Sequence, residues 1–171
     1  MAGLCRAAEE ALRQPDFTGS RPSNSGARPV LSIYADTSFV VSLYLADRYS
    51  AEAERRMGSR PRPWLTPLHR AEWAHAIQQH VFQGGLSLQK AKQIAAQFEQ
   101  DRADGVWSEI SLPEMAFEVC AELAWRHAAR LGSRTLDALH VASALELKAE
   151  HFWTFDERQK KLARAAGLKT A

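Results

Sequence analysis

Four acids in this chain occupy positions from which metal chemistry could be done: Asp36 in "YADTSF", Glu72 in "LHRAEWAHA", Asp137 in "RTLDALH" and Asp156 in "TFDERQ". Each has an ordinary reading when taken singly. Asp36 and Asp156 suit N-caps, because an aspartate there accepts backbone N–H bonds. Asp137 falls in a first helical turn, where negative charge suits the helix dipole. Glu72 reads as part of a solvated helix face. Gathered in one place they would do something different. Like charges repel and raise one another's pKa, so an acidic cluster is a poor structural device. A hard divalent cation resolves that repulsion. Mg²⁺ and Mn²⁺ prefer oxygen ligands and keep some of their waters. Such a site can activate water and stabilise the leaving oxygen of a phosphodiester.

The elements around the acids argue that they can meet. "VLSIYAD" (30–36) is a short apolar run rich in β-branched and aromatic residues and ending at an acid, which predicts a buried strand. A helix over 37–47 and a short polar helix over 50–57 follow. Residues 64–66 allow a short strand, and Pro67 suits the first turn of a helix running to about Gln83. Ser87 opens an amphipathic helix that ends near Asp104-Gly105. "VWSEISL" (106–112) alternates as a strand does, and Pro113 starts a helix to about Leu131. Thr135 starts a further helix, apolar on nearly every side, to about Ala149. "HFWTFD" (151–156) is a strand ending at an acid, "ERQKKLARAAG" a basic amphipathic helix with a glycine stop, and "LKT" a last short strand. Strands alternating with helices predict an α/β sandwich around a mostly parallel central sheet of four to five strands. In open parallel sheets, ligands bind beyond the carboxyl ends of the strands. Asp36 and Asp156 fall at two such ends. Asp137 starts the helix leading into the second, and Glu72 lies early in the helix after a third.

Composition sets the frame. The chain has 171 residues, enough for one ordinary domain, and 46% of them are hydrophobic, as in a soluble globular protein. No apolar run is long enough to span a bilayer, and "MAGLCRAAEEALRQPDF" lacks the apolar core of an export signal. Cys5 and Cys120 sit in no metal-type spacing and are compatible with a reducing cytoplasm. Residues 14–29 are rich in Pro, Gly, Ser and Asn and read as a linker. The predicted organisation is a flexible extension over 1–29 and one domain over 30–171. The formal net charge of +2 does not by itself demand a nucleic-acid partner.

Other chemistries fit less well. Glu72-x-x-His75 and Asp137-x-x-His140 have the spacing used in di-metal carboxylate helix bundles, but the strands ending at Asp36 and Asp156 do not suit a bundle. His69, His75 and His80 form no zinc motif. There is no Gly-rich phosphate loop. His140 reads as a packed histidine and His75 as a surface one. The five tryptophans read as core or interface residues. Arg158, Lys160, Lys161 and Arg164 form either a solvated face or a contact to RNA backbone.

The order of Asp36, Glu72, Asp137 and Asp156 resembles that of the PIN-domain nucleases. "RTLDALHVASALELKAEHFWTFDERQKKLARAAGL" (134–168) is similar to the C-terminal half of VapC-type toxins of bacterial toxin–antitoxin pairs. "YADTSFVVSLYLAD" (34–47) resembles that family's opening strand, first acid and first helix. The resemblance covers roughly residues 30 to 170. It implies a PIN-like α/β/α sandwich and a cytoplasmic endoribonuclease dependent on Mg²⁺ or Mn²⁺. It implies that Asp36, Glu72 and Asp137 hold the metal and that Asp156 completes the pocket. Thr37, Ser38 and Thr154 fall where the family has hydroxyls that orient acids or waters, although capping is the reading favoured for Ser38. Arg134 stands where it could meet substrate phosphate. The resemblance further implies an RNA substrate, a homodimer and a cognate antitoxin, with promoter DNA bound only through the antitoxin. A catalytically silent PIN-like binding module is the alternative.

Overall fold

The structure is a computed structural model and describes residues 32–171. The expected N-terminal extension lies outside the described residues. The central strand is β1 (Ile33–Ala35), followed by α1 (Thr37–Ser42), α2 (Ser50–Met57) and β2 (Trp64–Leu65). Two long helices follow, α3 (Pro67–Phe82) and α4 (Leu88–Ala103), and then β3 (Ser108–Glu109). The chain continues through α5 (Ala116–Leu123), a π-helical segment (Ala124–Ala128), α6 (Ala129–Leu131), α7 (Thr135–Glu146), β4 (His151–Trp153) and α8 (Glu157–Ala165). The four strands form one sheet in the order β3-β2-β1-β4, every pairing parallel.

All three residues of β1 are buried, as a central parallel strand requires when helices cover both faces. Its register sets Ile33, Tyr34 and Ala35 against His151, Phe152 and Trp153 of β4, and Tyr34 against Trp64 of β2. Successive side chains take opposite faces. Tyr34 and Phe152 belong to a core formed with α5, α7 and α8. On α7 every residue from Ala138 to Ala144 is buried, which is why its sequence shows no polar face. A second core packs α3 and α4 around Leu65, Trp73, Phe98 and Trp107, with Trp73 stacked on Phe98 at 4.2 Å between ring centres. Ala35 packs with Phe39 and Ala53 in a smaller third cluster.

Several elements are shorter than the sequence predicts, for local reasons. The first helix ends at Ser42 rather than near residue 47. Asp47 accepts from the Ser42 hydroxyl (2.8 Å), the Tyr49 amide (2.7 Å) and the Ser50 hydroxyl (3.2 Å), and this turn replaces further helix. The third strand keeps only two residues of 106–112, as a partner on one side alone supports it. The helix expected from Pro113 begins at Ala116, whose amide closes a turn onto the Pro113 carbonyl at 3.0 Å. "LKT" forms a single parallel bridge, Thr170 to Phe152, rather than a fifth strand. Gly132, at φ 64°, supplies the left-handed turn between α6 and α7.

Candidate active site

Asp36 ends β1. Its amide still donates to the Trp153 carbonyl (2.9 Å), so it belongs to the ladder as well as to the helix that follows. Its side chain caps α1 by accepting from the Phe39 amide at 3.0 Å. The Ser38 hydroxyl donates to the same oxygen, Oδ1, at 2.7 Å, and the Thr154 hydroxyl donates to Oδ2 at 2.8 Å. Only 3% of the residue is exposed. Burial pushes its carboxyl up to about 6; His140, Ser38, the Phe39 amide and Thr154 offset that only in part. The cap and the site are thus one geometry. Ser38 is not the cap assigned to it from sequence. It donates to Asp36 and accepts the Phe155 amide (3.0 Å), stitching α1 to the end of β4.

Glu72 reaches the same edge because the start of α3 is pinned to β1. Thr66 caps that helix, and its amide donates to His69 Nδ1 at 3.0 Å. His69 Nε2 then donates to the Ala35 carbonyl at 2.7 Å, which fixes a neutral tautomer. Burial, and then the neighbouring His140, hold the His69 pKa well below the usual histidine range. Glu72 stands one turn further on. Its Oε2 accepts the Thr37 hydroxyl at 2.6 Å and is hydrogen-bonded to His140 Nε2. The other ring nitrogen of His140, Nδ1, meets the Tyr34 hydroxyl at 2.9 Å. Burial alone would raise the Glu72 carboxyl. The hydrogen bond and charge of His140, with the Thr37 hydroxyl, outweigh it and hold the group below its ordinary value.

Asp137 and Asp156 are half-buried helix-start acids. Asp137 Oδ2 accepts the Arg134 amide (3.0 Å), and Asp156 Oδ1 accepts the amides of Arg158 (2.8 Å) and Gln159 (3.0 Å). The Asp156 amide itself donates to Thr154 Oγ1 at 3.0 Å. Buried Gln159 joins the two helix starts. Its Oε1 lies 3.0 Å from the Thr154 hydroxyl, and its Nε2 donates to the Asp137 carbonyl at 3.4 Å. The exposed Arg134 side chain takes part in no ion pair among the described residues.

Asp36, Thr154 and Asp156 are therefore brought together directly, as are Thr37 and Glu72. Asp137 joins them through its backbone and Gln159. Among the described residues, however, no three His, Cys, Asp or Glu side chains converge into a group able to hold a metal. The donor chemistry nonetheless suits a hard cation. Asp36 carries a buried carboxylate without full charge compensation. Glu72, Asp137 and Asp156 take their hydrogen bonds from described residues on one oxygen each, which leaves the second oxygen for another ligand.

Sequence reasoning assigned no role to Tyr34, His69 or Gln159, and favoured packing for His140 while leaving open whether it supports the site. A signal existed for Tyr34, since strand alternation puts it on the same face as Asp36 and a buried tyrosine hydroxyl requires a partner. His140 could be suspected because it lies three residues beyond Asp137 on the same helix face. Nothing in the sequence points to Gln159.

Two cavities flank the acids. One, of about 690 Å³, is lined by Thr37, Ser38 and Glu72 together with Leu68, Ala71 and Leu136. The other, of about 240 Å³, is lined by Ser38, Asp47, Arg48, Tyr49, Phe155 and Asp156.

Comparison with known proteins bears on the family and the fold. Residues 33–165 match the family model described as the PIN domain. Comparison with curated protein sequences gives no match. Among solved structures, the chain is similar to VapC20 of Mycobacterium tuberculosis, a toxin that cleaves the sarcin-ricin loop. That match has 22% identity and a TM-score of 0.61, covering 80% of this chain and 96% of the other. FitAcB from Neisseria gonorrhoeae matches at 14% identity and TM-score 0.61, over 81% and 95% of the two chains. VapBC2 from Rickettsia felis, bound to a DNA fragment from their promoter, matches at 13% and 0.60, over 82% and 98%. At these identities the likeness establishes the fold. With a four-stranded parallel sheet, an acid at the end of its central strand, and a family model matching most of its length, the chain belongs to the PIN-domain family.

Proposed function

We propose that this protein is a metal-dependent endoribonuclease and the toxin of a type II toxin–antitoxin pair. Family membership supports nuclease chemistry. The observation that carries the reading is Asp36. A carboxylate buried at the carboxyl end of the central strand, raised to about 6, is costly to keep unless its charge is used. Asp36, Glu72 and Asp137 are the residues that would hold Mg²⁺ or Mn²⁺, with Asp156 completing the pocket directly or through water. Such an ion, when bound, supplies Lewis-acid stabilisation of the phosphate and a lowered pKa for water. The chain's own residues orient the acids. Thr154 and Ser38 fix both oxygens of Asp36, Thr37 and His140 fix Glu72, and Arg134 offers positive charge beside Asp137 for substrate phosphate.

The partners follow from the relatives. VapC20 acts on the sarcin-ricin loop, which supports an RNA substrate. VapBC2 was solved on its promoter DNA, which supports an antitoxin through which DNA is bound. A homodimer is part of the same reading. A cytoplasmic site of action belongs to that reading as well. Among the described residues no helix is long and apolar enough to cross a membrane.

The test is cleavage of structured RNAs with and without Mg²⁺ or Mn²⁺, comparing wild type with Asp36→Asn and Asp137→Asn. Metal-dependent cutting that both substitutions abolish is expected. Equal cutting by all three, indifferent to metal, would mean that these acids are not a nuclease site, and no cutting by wild type with either metal would leave a PIN-like binding module as the better description.

A further inference from the structure

The smaller cavity has a composition that neither the acids nor the core require. Its floor is an aromatic column. Tyr49 lies on Phe155 with ring centres 4.5 Å apart and planes 2° from parallel, and Phe155 stacks in turn on Phe39 at 5.5 Å. The Arg48 guanidinium covers the Tyr49 ring at 4.5 Å. Arg56 lies 5.3 Å from the Phe155 ring centre, and adds a second cation to the column. Arg48 is exposed and makes no ion pair among the described residues, although Asp47 adjoins it. Asp47 is occupied instead by Ser42, Tyr49 and Ser50, and so fixes the backbone that presents Tyr49.

This column opens onto the candidate active site. Ser38 and Asp156 form one wall of the cavity, and Ser38 donates directly to Asp36. At about 240 Å³ it is below the roughly 300–1,000 Å³ typical of pockets for drug-sized ligands. It is of a scale for one planar heterocycle. Aromatic rings layered with a guanidinium are the surface on which an unstacked base stacks, and the guanidinium also supplies N–H donors to a flanking phosphate. The larger cavity on the other side of the acids, with Leu68, Ala71 and Leu136, offers no comparable chemistry.

We propose that Arg48 and Tyr49 form a subsite for one unstacked base of the RNA strand, next to the phosphate presented to Asp36 and Asp156. This rests on the ribonuclease reading and adds to it a positional preference. Phe155 and Arg48 cover the two faces of Tyr49, so the base stacks on the outer face of the exposed Arg48 guanidinium, which the Tyr49–Phe155 column holds flat, and the strand then runs past Ser38 to the acids. Residues that hold a base there select for nucleotides whose stacking is strong and whose backbone can turn out of a helix.

The test uses the full chain and short single-stranded oligoribonucleotides carrying one 2-aminopurine, moved stepwise along the strand, titrated in EDTA so that no cutting occurs. Quenching of the probe on binding is expected at one position. Arg48→Ala and Tyr49→Ala should each weaken binding about tenfold and reduce that quenching, as loss of a stacking plane or of the ring that supports it does, while Tyr49→Phe keeps both. Arg48 is exposed, so Arg48→Ala gives a result even if Tyr49→Ala fails to fold. Should wild type cut RNA with metal while Arg48→Ala binds and quenches like wild type, the subsite is wrong and the nuclease reading survives. If no position is quenched, the contact is to phosphate alone and the subsite is equally overturned. A wild-type chain that neither cuts nor binds any of these strands removes both proposals.

Discussion

Asp36 and Glu72 stand at the same edge of the sheet, and burial pushes both carboxyls upward, yet they end on opposite sides of the ordinary range. Asp36 rises to about 6, whereas Glu72 is lowered. The difference lies in what surrounds them. The hydrogen bonds to Asp36 come from two hydroxyls and an amide, all neutral groups. Glu72 meets His140, a titratable partner that is 2% exposed and is held on its other side by Tyr34. A hydrogen bond from a neutral donor offsets part of a desolvation penalty, and one from an ionisable donor can exceed it. The fold therefore accommodates the charge of Glu72 by itself and leaves that of Asp36 to be balanced from outside.

The largest expected effect tests this directly. Asp36→Asn should reduce metal-dependent RNA cleavage by on the order of a hundredfold or more, since it removes charge at the reacting centre. The same change should stabilise the metal-free protein at neutral pH. Asparagine still accepts the Phe39 and Ser38 protons, and its amide can face Thr154 once that hydroxyl turns to Gln159. Relief of a carboxyl raised from 3.8 to about 6 is worth at most roughly 3 kcal/mol, and ~1–2 kcal/mol is expected after imperfect geometry. Glu72→Gln should lose activity too, but with a loss of stability. Urea denaturation in EDTA distinguishes the two. If Asp36→Asn unfolds more easily than wild type, the contrast between the acids is mistaken.

His140→Ala comes next. It leaves the Glu72 carboxylate and the Tyr34 hydroxyl without their shared partner, one half-buried and the other fully buried. Breaking such a network from one side costs about 2–4 kcal/mol. The same measurement on His69→Ala reports a different role, because His69 pins Thr66 to Ala35 and touches no acid. A His140→Ala variant with wild-type stability would mean that Glu72 is not held by the histidine.

The two acids should also separate with pH. Asp36 has a folded pKa above its unfolded one, so its contribution to stability is present below about 3.8 and lost as pH rises through about 6. Glu72 has a folded pKa below its ordinary value of 4.5, so its contribution is present above that value and lost as pH falls through the lowered one. The stability difference between Asp36→Asn and wild type should thus grow in the variant's favour from pH 4 to pH 7. For Glu72→Gln the wild type should gain the advantage as pH rises from acid. Parallel curves for the two variants would break the comparison.

Much of this arrangement was legible in the sequence, unevenly. Asp36 and Asp156 could be placed because a strand ending at an acid and followed by a helix fixes the acid's location within a residue. Thr37 and Thr154 follow from the same adjacency. Glu72 was legible only as a member of a pattern, since its position depends on His69 reaching back to the Ala35 carbonyl, a contact between residues 34 apart. The part of His140 was hidden for the same reason, as its partners Tyr34 and Glu72 are 106 and 68 residues away. Strand lengths were overestimated where one side lacks a partner, as at β3, because alternation does not reveal edge strands. The early end of α1 follows from the side-chain bonds of Asp47, which helix periodicity does not register.

The smallest effect is the most discriminating, because it leaves every charge in place. Thr154→Val and Thr37→Val each remove one hydroxyl that donates to an acid, with little change in volume. Asp36 has no ionisable partner in reserve on Oδ2, whereas Glu72 retains His140 on the oxygen that Thr37 also serves. Thr154→Val further strands the Asp156 amide, which donates to the lost oxygen at 3.0 Å. It should therefore cost about 1 kcal/mol or slightly more in stability and about tenfold in cleavage, against clearly less for Thr37→Val. Thr154→Ser should recover most of the lost rate, since it restores the hydroxyl without the methyl. If serine fails to rescue, Thr154 acts by packing. If Thr37→Val proves as damaging as Thr154→Val, then His140 does not compensate for Thr37, and the two acids depend on their hydroxyls alike.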